Sequence, residues 1–159
     1  MLMIKKVLSK NVLILALLFF VYTAGAQSSK SYITNHKTMA TLLSEHYGIP
    51  ASVILAVAFV ESSAGRGATA KVLNNHFGIE GHNNIVNSRG HKSRYKQYSN
   101  EIASYIDFCR LVTRKRYYRR LKDTNDATAW VRAISHAGYS EQPQLWEKRI
   151  LSTIKTNRL

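Results

Sequence analysis

Glu61 is the residue in this chain best placed to do chemistry. It closes the apolar run 50–60 and is followed at once by Ser62, Ser63, Ala64 and Gly65, so a lone carboxylate stands where a buried helix ends. Ile54, Val57, Ala58 and Glu61 share one helical face, which brings the acid out on an apolar stripe. Desolvation and the negative end of the helix dipole both disfavour its ionised form. A carboxylic acid that keeps its proton near neutral pH is what general-acid catalysis requires. The plainer reading of the same spacing is an exposed last-turn glutamate with no task.

The other reactive side chains point to less. Cys109 is the only cysteine, which excludes an intrachain disulfide, and it lies in the apolar pattern Ile102, Tyr105, Ile106, Cys109 as a small core residue. His76, His82 and His91 are spaced by six and nine, without the i, i+4 pair of a helical zinc site, so no metal and no cofactor is predicted. The basic segment 114–120, interleaved with Tyr117 and Tyr118, would suit nucleic acid in a cytoplasmic protein; behind an export signal it is a solvated face or a grip on acidic wall polymer.

The elements that must hold Glu61 follow from periodicity and punctuation. A helical pattern runs over about 32–47 with Gly48 at its C′ position, and Pro50 suits the first turn of the next helix, about 50–63, which should be the central helix and stop at Gly65 or Gly67. A short helix is predicted over 69–74. The stretch 75–93 is rich in Gly, Asn and His, and short strands at 77–79 and 95–98 would make a hairpin-like lobe. Asn100 is the N-cap of a helix to about Thr113, and two more helices follow at about 126–137 and 143–157. The fold class is therefore mainly α (α+β), a helical domain with one small polar β-hairpin lobe.

Export is written at the N-terminus. Lys5, Lys6 and Lys10 precede an apolar run from Val12 to Tyr22 that ends in small residues at Ala26, the layout of a secretory signal peptide over 1–26. That run is shorter than the ~20 residues of a spanning helix; retention as an anchor is the alternative to cleavage. The remaining residues, 27–159, suffice for one compact domain. The full chain carries 23 Lys and Arg against 9 Asp and Glu, and losing three lysines with the signal leaves a net charge of +11. A periplasmic or extracellular protein so basic calls for an anionic partner, such as a wall polymer or a membrane surface, before nucleic acid.

Four pieces, in order, resemble the glucosaminidase-type peptidoglycan hydrolases of glycoside hydrolase family 73. They are Gly48 to Pro50 with the apolar helix through Glu61, Ser62, Gly65 and Arg66; the segment Asn74 to Ile79; Tyr95 to Tyr98 followed by Ser104 and Asp107; and Ala137 to Tyr139. The resemblance spans about Tyr32 to Ile154. It implies a lysozyme-like fold with a substrate cleft between a helical and a small β lobe. It also implies hydrolysis of the β-1,4 bond between N-acetylglucosamine and N-acetylmuramic acid, with Glu61 as general acid. The runner-up readings are a muramidase cutting the other glycan bond and a wall-binding domain of low activity.

The chain departs from the family pattern in places. Residues 81–94 contain no Asp or Glu, and Glu80 stands where the family often has Lys. Three sources of the second catalytic group stay open: Glu80 as base, a water held by Tyr139 and Asn75, or the substrate's own 2-acetamido group. Ala64 replaces a usual Trp. Asn75, Phe77, Tyr98 and Trp146 are the candidate substrate contacts, Tyr98, Tyr139 and Trp146 offering faces for sugar rings; Trp146, on an apolar helical face with Ile150, also suits core packing. Asp107 is assigned a capping or lobe-bracing role.

Overall fold

The computed structural model describes residues 29–85 and 93–159. The predicted signal segment, 1–26, lies outside the described residues. Contacts divide the protein into Met1–Ser31 and a compact unit, Tyr32–Leu159, which carries the core and the site. Among the described residues no helix is long and apolar enough to cross a membrane.

Residues 29–47 are helical, so helix α1 ends where the pattern predicted and begins before the expected start at 32. It stops at Gly48, whose left-handed φ of 63° lets its amide donate to Ser44 O at 2.8 Å. A side chain there would also run into Asp123, whose amide donates to Gly48 O. Pro50 occupies the N-cap of α2 (Ala51–Glu61) rather than its first turn. Val53 to Ala58 are buried without a break, because α2 is apolar on all sides and is enclosed by α4 (Glu101–Thr113), α6 (Ala127–Ile134) and α7 (Pro143–Asn157).

Local signals set the other helices. Asn100 Oδ1 accepts from Ala103 N at 2.9 Å to start α4, and Asp126 Oδ1 accepts from Ala129 N at 2.9 Å to start α6. Pro143 opens α7. On α6 one stripe, Trp130, Val131 and Ile134, enters the core beside Ile54, Phe108 and Ile150. Between α6 and α7 the chain makes a wide π-type turn, Ser135–Tyr139, in which Gly138 takes φ 81°. Cys109 is buried, and burial pushes its thiol up to about 12, in keeping with a core residue.

The basic segment sorts by side. Tyr117 and Tyr118 turn their rings edge-on to Trp130, and Tyr118 OH donates to Tyr47 O at 2.7 Å. Arg114, Arg116, Arg119 and Arg120 remain exposed around the short helix α5 (Tyr118–Leu121). The tyrosines are therefore packing residues rather than stacking platforms between the arginines.

The lobe between the short helix α3 (Ala68–Leu73) and α4 corrects one prediction. Among the described residues it contains no β-hairpin of paired strands, only a single antiparallel bridge between Glu80 and Tyr95. Chain 79–82 does run beside 94–97, with Lys96 N donating to Ile79 O at 2.8 Å and Gly81 N to Arg94 O at 2.9 Å. Side-chain amides intervene where ladder partners would be. Asn75 Nδ2 donates to Ile79 O and Lys96 O, and Asn83 Nδ2 donates to Tyr95 O. Gly78 and Gly81, both with positive φ, bend the first segment out of a regular pleat.

Candidate active site

Glu61 is the last residue of α2, and the way the chain leaves it fixes its position. After Ser62, three successive residues adopt left-handed backbone: Ser63 (φ 52°), Ala64 (φ 56°) and Gly65 (φ 73°). Ala64 N donates back to Phe59 O at 2.7 Å, and Ser62 Oγ accepts from Gly65 N at 2.8 Å. The helix thus ends before either glycine predicted to stop it. Two L-residues in that region cost of order 1–2 kcal/mol each, a kind of strain that clusters at functional sites.

The Glu61 carboxyl faces a cleft of about 800 Å³. Its walls come from the 77–80 loop, from Arg94 and Tyr95, from Leu111 and Lys115 at the end of α4, from the turn around Gly138 and from Leu145, Trp146 and Arg149 of α7. Trp146 Nε1 donates to Glu61 Oε1 at 2.6 Å. The second oxygen, Oε2, lies towards Gly78, where a Cβ would come within 3.4 Å of it. Burial raises the pKa of Glu61, and it prevails over the indole hydrogen bond and the Arg149 charge, which both favour the ionised form.

Tyr139 closes the same corner. Its hydroxyl donates to Phe77 O at 2.7 Å, and its ring lies 5.3 Å from that of Trp146. Burial, with the Glu61 charge second, pushes its phenol well above the ordinary value, so Tyr139 stays protonated. Phe77 is buried against Phe108, ring to ring at 4.4 Å, with an edge on the cleft. Glu80 is exposed on the wall and pairs with Arg94 Nε at 3.2 Å.

A glucosaminidase family model, described as mannosyl-glycoprotein endo-beta-N-acetylglucosaminidase, matches residues 37–159. The chain belongs to this family of glycoside hydrolases. Among solved structures it is similar to the glycoside hydrolase domain of Salmonella typhimurium FlgJ, at 25% identity and TM-score 0.66, covering 82% of this chain and 88% of that one. The catalytic domain of the autolysin Auto from Listeria monocytogenes shares the fold at 21% identity and TM-score 0.64, covering 82% and 85%. A peptidoglycan hydrolase from Sphingomonas sp. A1 shares it at 18% identity and TM-score 0.61, covering 80% and 94%. Comparison with curated proteins gives no match.

In this glucosaminidase domain Glu61, Phe77, Glu80, Tyr139 and Trp146 line one cleft, whereas two other predicted substrate contacts lie elsewhere. Asn75 is buried with its whole amide engaged, donating to Ile79 O and Lys96 O and accepting from Phe77 N and Ile79 N. It shapes the loop and has nothing left to offer a sugar. Tyr98 is buried and donates to Asp107 Oδ2 at 2.7 Å, where Lys96 Nζ also binds at 2.6 Å. Burial alone would raise the Asp107 carboxyl, but these two bonds and the Lys96 and Arg114 charges hold it below the usual range. Asp107 braces the lobe, and the acidic first residue of α4 is Glu101.

Sequence reasoning missed Arg149 and Glu141, which also line the cleft, and Gly78, which lies beside Glu61 Oε2. Arg149 was within reach of helical spacing, three residues beyond Trp146 on α7. Trp146→Phe should raise the Glu61 pKa, because it removes a donor to the carboxylate. A hydrogen bond to a charged group is worth about 1.5–3 kcal/mol and one pKa unit about 1.4. The alkaline edge of the pH–rate profile is expected to move to higher pH.

Proposed function

We propose that this domain is an exported endo-β-N-acetylglucosaminidase that cleaves the β-1,4 bond between N-acetylglucosamine and N-acetylmuramic acid in peptidoglycan. The observation that carries this reading is the Glu61 carboxyl, its pKa raised by burial and its Oε1 held by Trp146, on the wall of a cleft of about 800 Å³. As the bond from C1 to the leaving oxygen breaks, Glu61 gives its proton to that oxygen. The similar solved structures are a glycoside hydrolase domain, the catalytic domain of an autolysin and a peptidoglycan hydrolase, which supports the substrate class.

Glu80 is our candidate for the base that accepts a proton from the attacking water. Arg94 tethers it on the cleft wall, and Tyr139 holds the Phe77 carbonyl at the root of the same loop. Glu80→Gln is expected to lower kcat about 100-fold and to leave the unfolding temperature unchanged, since the carboxylate is exposed. An unchanged kcat would remove Glu80 and leave the attack to the substrate's 2-acetamido group or to a water held by neutral groups such as Tyr139.

Mass spectrometry of borohydride-reduced digestion products tests bond and activity together. New N-acetylglucosaminitol ends are expected; muramitol ends would make the enzyme a muramidase, and no new ends would make it a binding domain. Export follows from the signal-like segment over 1–26, and a secreted form beginning at Gln27 is the corresponding observation.

A further inference from the structure

Away from the cleft, α1, the loop after α3 and the start of α4 bring three donor groups together. His36 Nε2 lies 3.2 Å from Glu101 Oε2, and His76 Nε2 lies 3.7 Å from the same oxygen. All three ligand atoms fall within 4.8 Å of one another. The spacings of six and nine that argued against a metal concerned other partners of His76.

The far sides of both rings say which nitrogens are free. His36 Nδ1 is 2.7 Å from Tyr32 O, a carbonyl that can only accept, so Nδ1 carries a proton; in the neutral ring it is then the Nε2 lone pair that faces Glu101 Oε2, 3.2 Å away. His76 Nδ1 is 2.7 Å from Tyr32 OH, which is itself 2.9 Å from Tyr105 OH. With Tyr32 donating to Tyr105, His76 donates from Nδ1 and its Nε2 lone pair also faces the carboxylate. In that arrangement three lone pairs converge on one point, which a cation would bridge; with a proton on Nε2 the same contacts are histidine–carboxylate hydrogen bonds.

We propose that His36, His76 and Glu101 form a zinc site that ties these three elements together. Ligand bonds of about 2.0–2.2 Å in tetrahedral geometry separate neighbouring ligand atoms by roughly 3.3–3.6 Å, and the observed 3.2 and 3.7 Å bracket that range. The Nδ1 bond of His36 to a backbone carbonyl is the outer-shell contact that orients a metal-binding imidazole. Both histidines are buried and stacked among Tyr32 and Tyr105, while Glu101 is half exposed and gives the ion a path in and water a fourth position. His76 immediately precedes Phe77 and Gly78, so zinc would stiffen the loop next to Glu61 without entering the cleft. The proposal stands whether or not Glu61 is the acid.

The test is zinc titration of untagged, chelator-treated full domain by calorimetry, with thermal unfolding and Co²⁺ absorption alongside. One equivalent of Zn²⁺ should bind, saturation should raise the unfolding temperature by roughly 5 °C or more, and Co²⁺ should give visible bands of tetrahedral coordination. Glu101→Gln, at an exposed helix start that tolerates change, and His36→Asn should each weaken binding at least tenfold and abolish the bands. If wild type takes up no zinc, or both variants bind it as wild type does, the site is a plain His–Glu ion pair and the proposal fails. Should His36→Asn not fold, Glu101→Gln with the Co²⁺ spectrum decides alone.

Discussion

Glu61→Gln should lower kcat on insoluble peptidoglycan by about 10²–10⁴-fold, the range general-acid catalysis supplies. The amide keeps the shape of the side chain, and its carbonyl oxygen can still accept from Trp146 Nε1, so the loss reports the proton and not the packing. Two pH effects accompany it. In the wild type, kcat should fall as pH rises through the raised Glu61 pKa, because the protonated acid is depleted. Stability shifts the same way. Above the unfolded-state value the folded protein retains a proton that the unfolded chain has released, so stability falls with rising pH until the folded pKa is passed. Glu61→Gln removes that dependence, and its unfolding temperature should gain on wild type as pH increases across this window. Equal clearance rates for variant and wild type would remove Glu61 from the mechanism.

Asn75→Ala is expected to damage both stability and turnover. It leaves Lys96 O and two amides, Phe77 N and Ile79 N, without their side-chain partner, while Ile79 O keeps the bond from Lys96 N. Each orphaned buried group costs about 1–3 kcal/mol. Allowing for water reaching some of them, a loss of about 3 kcal/mol, or roughly 10 °C in unfolding temperature, is expected. The same loop sets Gly78 near Glu61 Oε2 and presents Phe77 O to Tyr139. kcat should therefore fall more than KM rises. A variant that raised KM alone and unfolded at the wild-type temperature would return Asn75 to the role of a sugar contact.

What could be read from the chain and what could not divides along contact distance. Helices α1, α4, α6 and α7 announced themselves because apolar residues recur every three to four positions, α2 because its apolar run is unbroken, and Gly48, Asn100 and Pro143 act on their immediate neighbours. Glu61 was legible for the same reason, as the first acid after an unbroken apolar run. The lobe misled because the short runs at 77–79 and 95–98 have strand-like composition, whereas the competition was decided by the side-chain amides of Asn75 and Asn83. Trp146 meeting Glu61 across 85 residues, and His36 meeting His76 and Glu101, involve no local spacing at all. Tyr98 looked like a sugar platform only because its partner, Asp107, lies on another element.

The turn that releases the chain from α2 has an unusual chemical preference. Ser63 holds positive φ with its side chain in solvent, a geometry natural to the opposite enantiomer. A semisynthetic domain carrying D-alanine at that position should be more stable by about 1 kcal/mol, gaining in the folded state without freeing the unfolded one as glycine would. For one short stretch beside the cleft, this polypeptide is built to the taste of its mirror image.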